Sequence, residues 1–548
     1  MSKPQEEGAG RLGGMLRRLR RSLGVAALVS VLSVGAAVAA PKPRNVIFVL
    51  VDDLRFDAMG FLTPGLQTPN IDRLAREGVY FPNAVVTSAL CSPSRATLLT
   101  GLSSRNHGIV DNNNASEKGL TFFPSYLQKA GYQTAFLGKW HMGQASAAPR
   151  PGFDHWVSFP GQGTYWPTPT GRLNVDGREV AQKGYITDEL TDYAMDWLEH
   201  GRDAKKPFFL YLSHKAVHSD AQPAPRHRDQ YKDLDIRLPA SAADTPENYA
   251  GKPMWVRNQR NSWHGVDFPY HSTRAITENT RQVYRTLSAV DESLGRVLAW
   301  VDRAGLAKET AVIFYSDNGF LTGDHGLIDK RNAYEGSIRV PMVVWAPGLL
   351  PAGKVEPGMV RNLDMAPAIL DLAGVRAPAH FEGRSFLPLA TGAIATAAWP
   401  QELIYEYYWE WNFPMTPTTF AIRDGRYKYI QYHGVWDLEE LYDLQADPGE
   451  MTNLIDDPAQ FDRKLDLRKR LYLGLAAAGG RHAIPFGERA GPGVVFRRTD
   501  GAPAADFPAE WMRRPGDPDL LDGIFPDSRA KFEAQQARRA KTDGAPRK

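Results

Sequence analysis

The sequence predicts an α/β fold: a large, mainly parallel (mixed) sheet sandwiched by helices, with a smaller C-terminal α+β domain containing an antiparallel sheet. Short apolar runs bounded by turn residues alternate with stretches of helical periodicity, as in sheets covered by helices on both faces. In addition, four of five such runs end in polar, chemistry-bearing residues. In open α/β sheets that edge is where ligands bind.

The runs are Asn45 to Val51, Thr134 to Leu137, Phe208 to Leu212, Ala311 to Tyr315 and Met342 to Trp345, each reading as a buried parallel strand. Helices are expected over Asn70 to Glu77, Pro124 to Ala130, Asp188 to Glu199 and Glu278 to Ala304. In the last of these Val283, Leu287, Val290, Leu294, Val297, Leu298 and Val301 recur at helix spacing. Ser219 to Thr277 is loop-like, carries Trp255, Trp263, His264, Tyr270 and His271, and is expected to lie over the cleft or simply to pack. From about Ala398 the texture changes: Phe420 to Ile422 and Tyr427 to Gln431 flank an Asp424-Gly425 turn, as in a hairpin. The chain therefore divides into a leader (1–40), a larger α/β domain (41–397), a smaller domain (398–527) and a basic tail (528–548).

The 548 residues are 43% hydrophobic and 23% charged, which excludes a disordered, collagen-like or mainly transmembrane protein. The 49 glycines and 40 prolines imply many turns and long surface loops. Net charge is +3, but residues 1–40 hold six basic and two acidic side chains, so the rest is nearly neutral. Nucleic acid is therefore not expected as a partner. The leader is basic from Arg17 to Arg21, apolar and small from Leu23 to Val38, and offers small-residue cleavage sites at Ala37-Val38-Ala39-Ala40. That order is a secretory signal peptide, so a periplasmic or secreted protein without stable membrane insertion after cleavage is expected. A single cysteine, Cys91, excludes an intramolecular disulfide.

Asp52 and Asp53 follow one strand, and Asp317 and Asn318 follow another. These four hard oxygen donors suit a divalent cation, Ca²⁺ before Mg²⁺, although adjacent carboxylates also occur on solvated loops. Cys91-Ser92-Pro93-Ser94-Arg95 opens a helix-like stretch, placing the lone thiol at a helix N-terminus that favours an anion.

With Cys-x-Pro-Ser-Arg at 91–95 the chain resembles the type I sulfatases of the alkaline-phosphatase-like superfamily. The resemblance extends in order through Asn45 to Asp53, Gly138 to Gly143, Ser213 to His218, Ser316 to Gly319, Lys330 to Pro341 and Glu440 to Leu454. It implies that Cys91 becomes formylglycine, whose hydrate is the nucleophile, through a formylglycine-generating enzyme or an anaerobic maturase. Asp52, Asp53, Asp317 and Asn318 then match the Ca²⁺ ligands, with modified Cys91 adding an oxygen. Arg95 matches the residue that supports the formylglycine, Lys139 and Lys330 the lysines that grip the sulfate, and His141 and His218 the two working histidines. His214 reads as a supporting or structural position, with substrate contact as the alternative.

The loops Asp317 to Pro341 and Tyr408 to Asp437 resemble bacterial enzymes that remove the 6-O-sulfate of N-acetylglucosamine in heparan-type or mucin glycans. On that reading Asp324, His325, Trp409 and Trp411 are sugar contacts; the tryptophans read equally well as packing between the domains. Three alternatives stay open at this point: an arylsulfatase acting on a small sulfate ester, a phosphonate or phosphodiester hydrolase of the same superfamily, and a non-catalytic binder of sulfated glycan in which Cys91 is never modified.

Overall fold

The computed structural model describes residues 44–477, apart from 114–116, 143–145, 263, 268–273 and 434–437. The leader, the basic tail, Trp263, Tyr270 and His271 thus lie outside the described residues.

In chain order the strands are β1 (Asn45–Val51), β2 (Val79–Tyr80), β3 (Ala84–Val85), β4 (Gln133–Lys139), β5 (His155–Phe159) and β6 (Arg172–Val175). There follow β7 (Arg178–Ala181), β8 (Phe208–Ser213), β9 (Thr310–Ser316), β10 (Met342–Trp345), β11 (Lys354–Val355) and β12 (Val360–Arg361). The last four are β13 (Leu403–Tyr407), β14 (Thr418–Arg423), β15 (Tyr427–His433) and β16 (Glu440–Asp443). Ten of them form one sheet in the order β11-β2-β10-β9-β1-β8-β4-β5-β6-β7. At its centre β9, β1, β8, β4 and β5 run parallel. The run Met342–Trp345 is a strand as expected but pairs antiparallel to β9, so the expectation of a parallel strand is corrected there. A fully buried apolar run has no alternation to reveal direction.

Side chains alternate across a strand, and β1 feeds two cores accordingly. Val46, Phe48 and Leu50 face one, with Leu98, Ile369 and the inner face of the second sheet, including Tyr405, Ala421 and Ile430. Ile47, Val49 and Val51 face the other, with Ile71, Leu190, Leu287, Leu294 and Val301 from helices Pro69–Glu77, Ile186–Asp196 and Ile276–Arg303. The central strands are buried on both sides, which explains their unbroken hydrophobic runs.

The second sheet is an antiparallel meander, β13-β14-β15-β16. Asp424 caps its hairpin, accepting the backbone N–H groups of Arg426 at 2.9 Å and Tyr427 at 2.7 Å. Its other face, with Phe420, Ile422, Tyr429 and Leu441, packs under Leu467, Leu471 and Leu475 of helix Phe461–Ala477. The segment expected to be loop-like contains short helical turns at Pro225–His227, Ala240–Ala242, Pro246–Tyr249 and Met254–Gln259. No helix among the described residues is long and apolar enough to cross a membrane.

Candidate active site

The carboxyl ends of β1, β9, β4 and β8 converge on the first turn of helix Cys91–Thr100. Leu90, in extended conformation, precedes that helix, and Gly101 ends it at φ 66° in the left-handed region that glycine tolerates. All ten helix residues are buried, so Cys91 is held at a helix N-terminus inside the protein. Ser92 fixes that end: its N–H donates to Asn112 Oδ1 at 3.0 Å and its hydroxyl to the His141 carbonyl at 2.5 Å.

Around the Cys91 sulfur stand Lys330 Nζ at 2.9 Å, Asp52 Oδ1 at 3.3 Å, Lys139 Nζ at 3.7 Å and Asp53 Oδ1 at 3.9 Å. Lys139 also donates to Asp52, and Lys330 to Asp53. Asp317 accepts the Asp53 N–H at 3.2 Å on one oxygen and the Arg95 Nε–H at 2.8 Å on the other. Arg95 further donates to the Lys139 carbonyl at 2.6 Å and to the Ser213 hydroxyl at 2.8 Å, tying β9, β4 and β8 together. Asn318 Nδ2 donates to Asp53 at 2.7 Å.

Oxygens of Asp52, Asp53 and Asp317 and the Cys91 sulfur all lie within 4.8 Å of one another. Asp53 Oδ2 and Asn318 Oδ1 are buried with no hydrogen-bond partner among the described residues. Three converging carboxylates, with one carboxylate oxygen and one amide oxygen left unclaimed, fit a hard divalent cation. The backbone is bent to make this arrangement: Asp53 has φ 61° and His141 φ 55°, sparsely populated values for residues other than glycine. Gly138, at φ 119°, lets β4 approach β8, because a Cβ there would stand 1.7 Å from the Ser213 carbonyl oxygen.

Burial sets the electrostatics. It pushes the Cys91 thiol up, and the neighbouring Asp52 adds to the effect, so an unmodified thiol is a poor nucleophile here. Burial opposes ionisation of Asp52 too, but Lys139, His218 and Arg95 together hold its carboxyl well below the usual range. Asp53 is raised by burial despite Lys330, and Asp317 is pushed up to about 6 by burial and Asp52. Lys330 stays firmly cationic because Asp53, with Asp52 and Asp317, outweighs its burial. His141 and His218 are held low by burial and then by Lys139.

His218 Nε2 lies 3.8 Å from Asp53 Oδ2, while its Nδ1 contacts the Ser219 carbonyl. His141 presents a buried Nε2 with no partner among the described residues. Asp52, Asp53, Cys91, Arg95, Lys139, His218, Lys330, Asp317 and Asn318 are thus brought together, with His141 beside them. His214 is not: it is fully buried, with Nε2 3.3 Å from Ser293 Oγ of helix Ile276–Arg303, a structural position. The expected sugar contacts divide. Asp324 pairs with Arg55 at 2.5 Å, and His325 is buried against the Tyr334 ring at 4.1 Å, so each already has a protein partner. Trp409 and Trp411 are 50% and 65% exposed, so they do not pack the two sheets together.

Sequence reasoning gave no role to Lys215, a buried lysine three residues before His218, or to the buried chain Asn112–Glu410–Arg331–Asp329. A lysine between two histidines directly after a buried strand was the available signal for the first; the second joins segments far apart in sequence and had none.

The sulfatase family model matches residues 44–375, and the model of the N-sulphoglucosamine sulphohydrolase C-terminal region matches 323–474. The chain is 32% identical over 478 residues to an N-acetylglucosamine-6-O-sulfatase of Bacteroides thetaiotaomicron, covering 75% of this chain and 83% of that protein. It is 30% identical to a multifunctional alkaline phosphatase superfamily protein of Trinickia caryophylli, covering 76% and 92%. A solved structure described in complex with its substrate D-glucosamine-2-N,6-O-disulfate superposes with a TM-score of 0.73 at 30% identity, covering 81% of this chain and 99% of that one. With the fold, the buried Cys-x-Pro-Ser-Arg helix and these matches in agreement, the chain belongs to the sulfatase family and is an enzyme of the alkaline-phosphatase-like fold.

Proposed function

We propose that this sulfatase releases inorganic sulfate from a 6-O-sulfated glucosamine, N-acetylglucosamine 6-sulfate being the first choice within heparan-type or mucin glycans. The observation that carries the reading is the pair of ammonium groups, Lys139 and Lys330, flanking Cys91 at the head of a buried helix. The names of the 32% identical relative and of the substrate in the superposed structure support the sugar.

A Ca²⁺ ion would be held by Asp52, Asp53, Asp317 and Asn318 and would add positive charge beside the sulfate, while formylglycine made from Cys91 would supply the attacking oxygen. The other steps belong to the chain's own residues. Lys139 and Lys330 gather the negative sulfate oxygens and hold the ester in line. Arg95, locked between Asp317 and the Lys139 carbonyl, keeps both strand ends in register. His218, when its ring carries a proton on both nitrogens with Nδ1–H on the Ser219 carbonyl, gives the Nε2 proton to the departing sugar oxygen, which leaves as the hydroxyl. His141 takes the proton of the hydroxyl remaining on residue 91 at its unpartnered Nε2 as sulfate leaves.

Because Cys91 is fully buried, the formylglycine-generating enzyme or anaerobic maturase acts before the core closes. Residues 1–40 support export, with the enzyme acting in the periplasm or outside the cell.

The test is sulfate release by the purified enzyme from N-acetylglucosamine 6-sulfate, an aryl sulfate and a phosphodiester in parallel. Highest kcat/KM on the sulfated sugar is expected. Faster turnover of the aryl sulfate or the phosphodiester would replace the substrate, and tight glycan binding with no sulfate released would replace catalysis.

A further inference from the structure

Beside His218 opens a cleft of about 510 Å³, lined in part by Tyr165, Trp166, Lys215, Asp220 and Gln222. That volume suits a small ligand such as a monosaccharide. Lys215 is 5% exposed, and its ammonium stands 4.7 Å from the Tyr165 ring centroid. Five lysines are buried among the described residues. Lys139, Lys330 and Lys428 each meet a carboxylate, and Lys252 meets a hydroxyl and a carbonyl. Lys215 alone among these has no carboxylate within ion-pair distance and no hydrogen-bond acceptor among the described residues; its nearest partner is an aromatic face, with Asp52 and Asp53 acting on its charge from farther away. A buried ammonium so placed is ready for an anion.

Its position says which side of the scissile bond that anion occupies. The His218 N–H donates to the Lys215 carbonyl at 3.1 Å, and the Tyr165 hydroxyl donates to the His218 carbonyl at 2.7 Å, so lysine and proton donor share one turn to which the aromatic wall is tied. On the reading of the preceding section, His218 faces the departing hydroxyl, so the cleft beside it receives the sugar rather than the scissile sulfate. Asp220 is already answered by Arg274 at 3.0 Å and Gln222 at 3.4 Å, leaving Lys215 as the charge that faces the ring.

We infer that Lys215 recognises a second anionic group on the sugar that carries the scissile ester, with Trp166 and Tyr165 bounding the ring; the 2-N-sulfate carried by the substrate of the superposed structure is the group that fits this assignment. This rests on the proposed glucosamine 6-sulfatase reading.

The experiment compares kcat/KM on glucosamine 2-N,6-O-disulfate and on N-acetylglucosamine 6-sulfate for the wild type, Lys215→Met and Lys215→Arg, with thermal melts of all three. A charge-assisted contact of about 1.5–3 kcal/mol corresponds to a factor of about 10 to 150. Lys215→Met should lose that much more on the disulfate than on the N-acetyl sugar, and Lys215→Arg should recover part of it. Equal losses on both substrates, or none, overturn the assignment, as does an unfolded Lys215→Met whose Lys215→Arg counterpart is folded but has no preference for the disulfate. Turnover of neither substrate by the wild type overturns the 6-sulfatase reading itself, whereas turnover of the N-acetyl sugar with no effect of position 215 overturns this inference alone.

Discussion

Lys330 is the cation nearest the Cys91 sulfur, at 2.9 Å, and it also donates to Asp53. Its position is reached only after the chain has crossed the sheet, yet it meets the first strand's carboxylate in a buried site. Fixed charges in such surroundings act on the transition state without reorganising. Lys330→Ala is therefore predicted to lower kcat/KM for sulfate release by about 10²–10³-fold, the size found when one charge-stabilising donor is removed. The same change strands the Asp53 carboxylate and lowers thermal stability. A loss of threefold or less would mean that Lys330 does not touch the sulfate.

Among the elements, the contact between helices Pro69–Glu77 and Ile276–Arg303 shows how one side chain joins two segments. Asp291 caps the first helix from the second, accepting the backbone N–H groups of Asn70 at 3.1 Å and Ile71 at 2.9 Å. Burial nonetheless wins over these bonds and pushes its carboxyl up to about 6. The folded state thus takes up a proton that the unfolded chain releases at its lower, ordinary value. The stability contributed by protonated Asp291 is full below that ordinary value and lost as pH rises through about 6. Between pH 4 and 7 the melting temperature of the native protein should fall relative to that of Asp291→Asn, as followed by circular dichroism. A pH-independent difference would mean that Asp291 does not change protonation between the two states.

Elements of this kind were legible to different degrees. Asn45–Val51 and Met342–Trp345 were found to the residue, because strands buried on both faces are apolar throughout. The direction of the second was not, since pairing is decided by the path of the chain. Two-residue strands such as Val79–Tyr80 carry no periodicity at all. In the site, the motif residues were legible because each follows a strand or opens a helix. Asp324 and His325 looked like sugar ligands as polar residues in a motif loop, and only packing shows that Arg55 and Tyr334 already engage them. The left-handed turns at Asp53 and His141 were invisible, because neither is a glycine.

At the scale of the molecule, the second sheet completes the first core: Tyr405, Ala421 and Ile430 pack in one cluster with Phe48 and Leu98. The site sits above that shared core and concentrates Asp52, Asp53 and Asp317 within a few ångströms. A cation that binds this arrangement and not the unfolded chain stabilises the whole fold, by about 2.7 kcal/mol at a hundredfold excess over its Kd. Dialysis against a chelator is predicted to lower the melting temperature and abolish sulfate release, and Ca²⁺ should restore both more fully than Mg²⁺. An unchanged melting temperature and activity would show that no cation is held there.

The central claim is that Cys91, buried between Lys139 and Lys330, is the precursor of the nucleophile. Its most direct test is the mass spectrum of the tryptic peptide spanning residues 77–95 from active enzyme, with an aldehyde-trapping reagent present. An aldehyde at position 91 in active enzyme, with its fraction rising in step with specific activity across preparations, is the predicted result. Full sulfatase activity from protein carrying only an intact Cys91 thiol would contradict it.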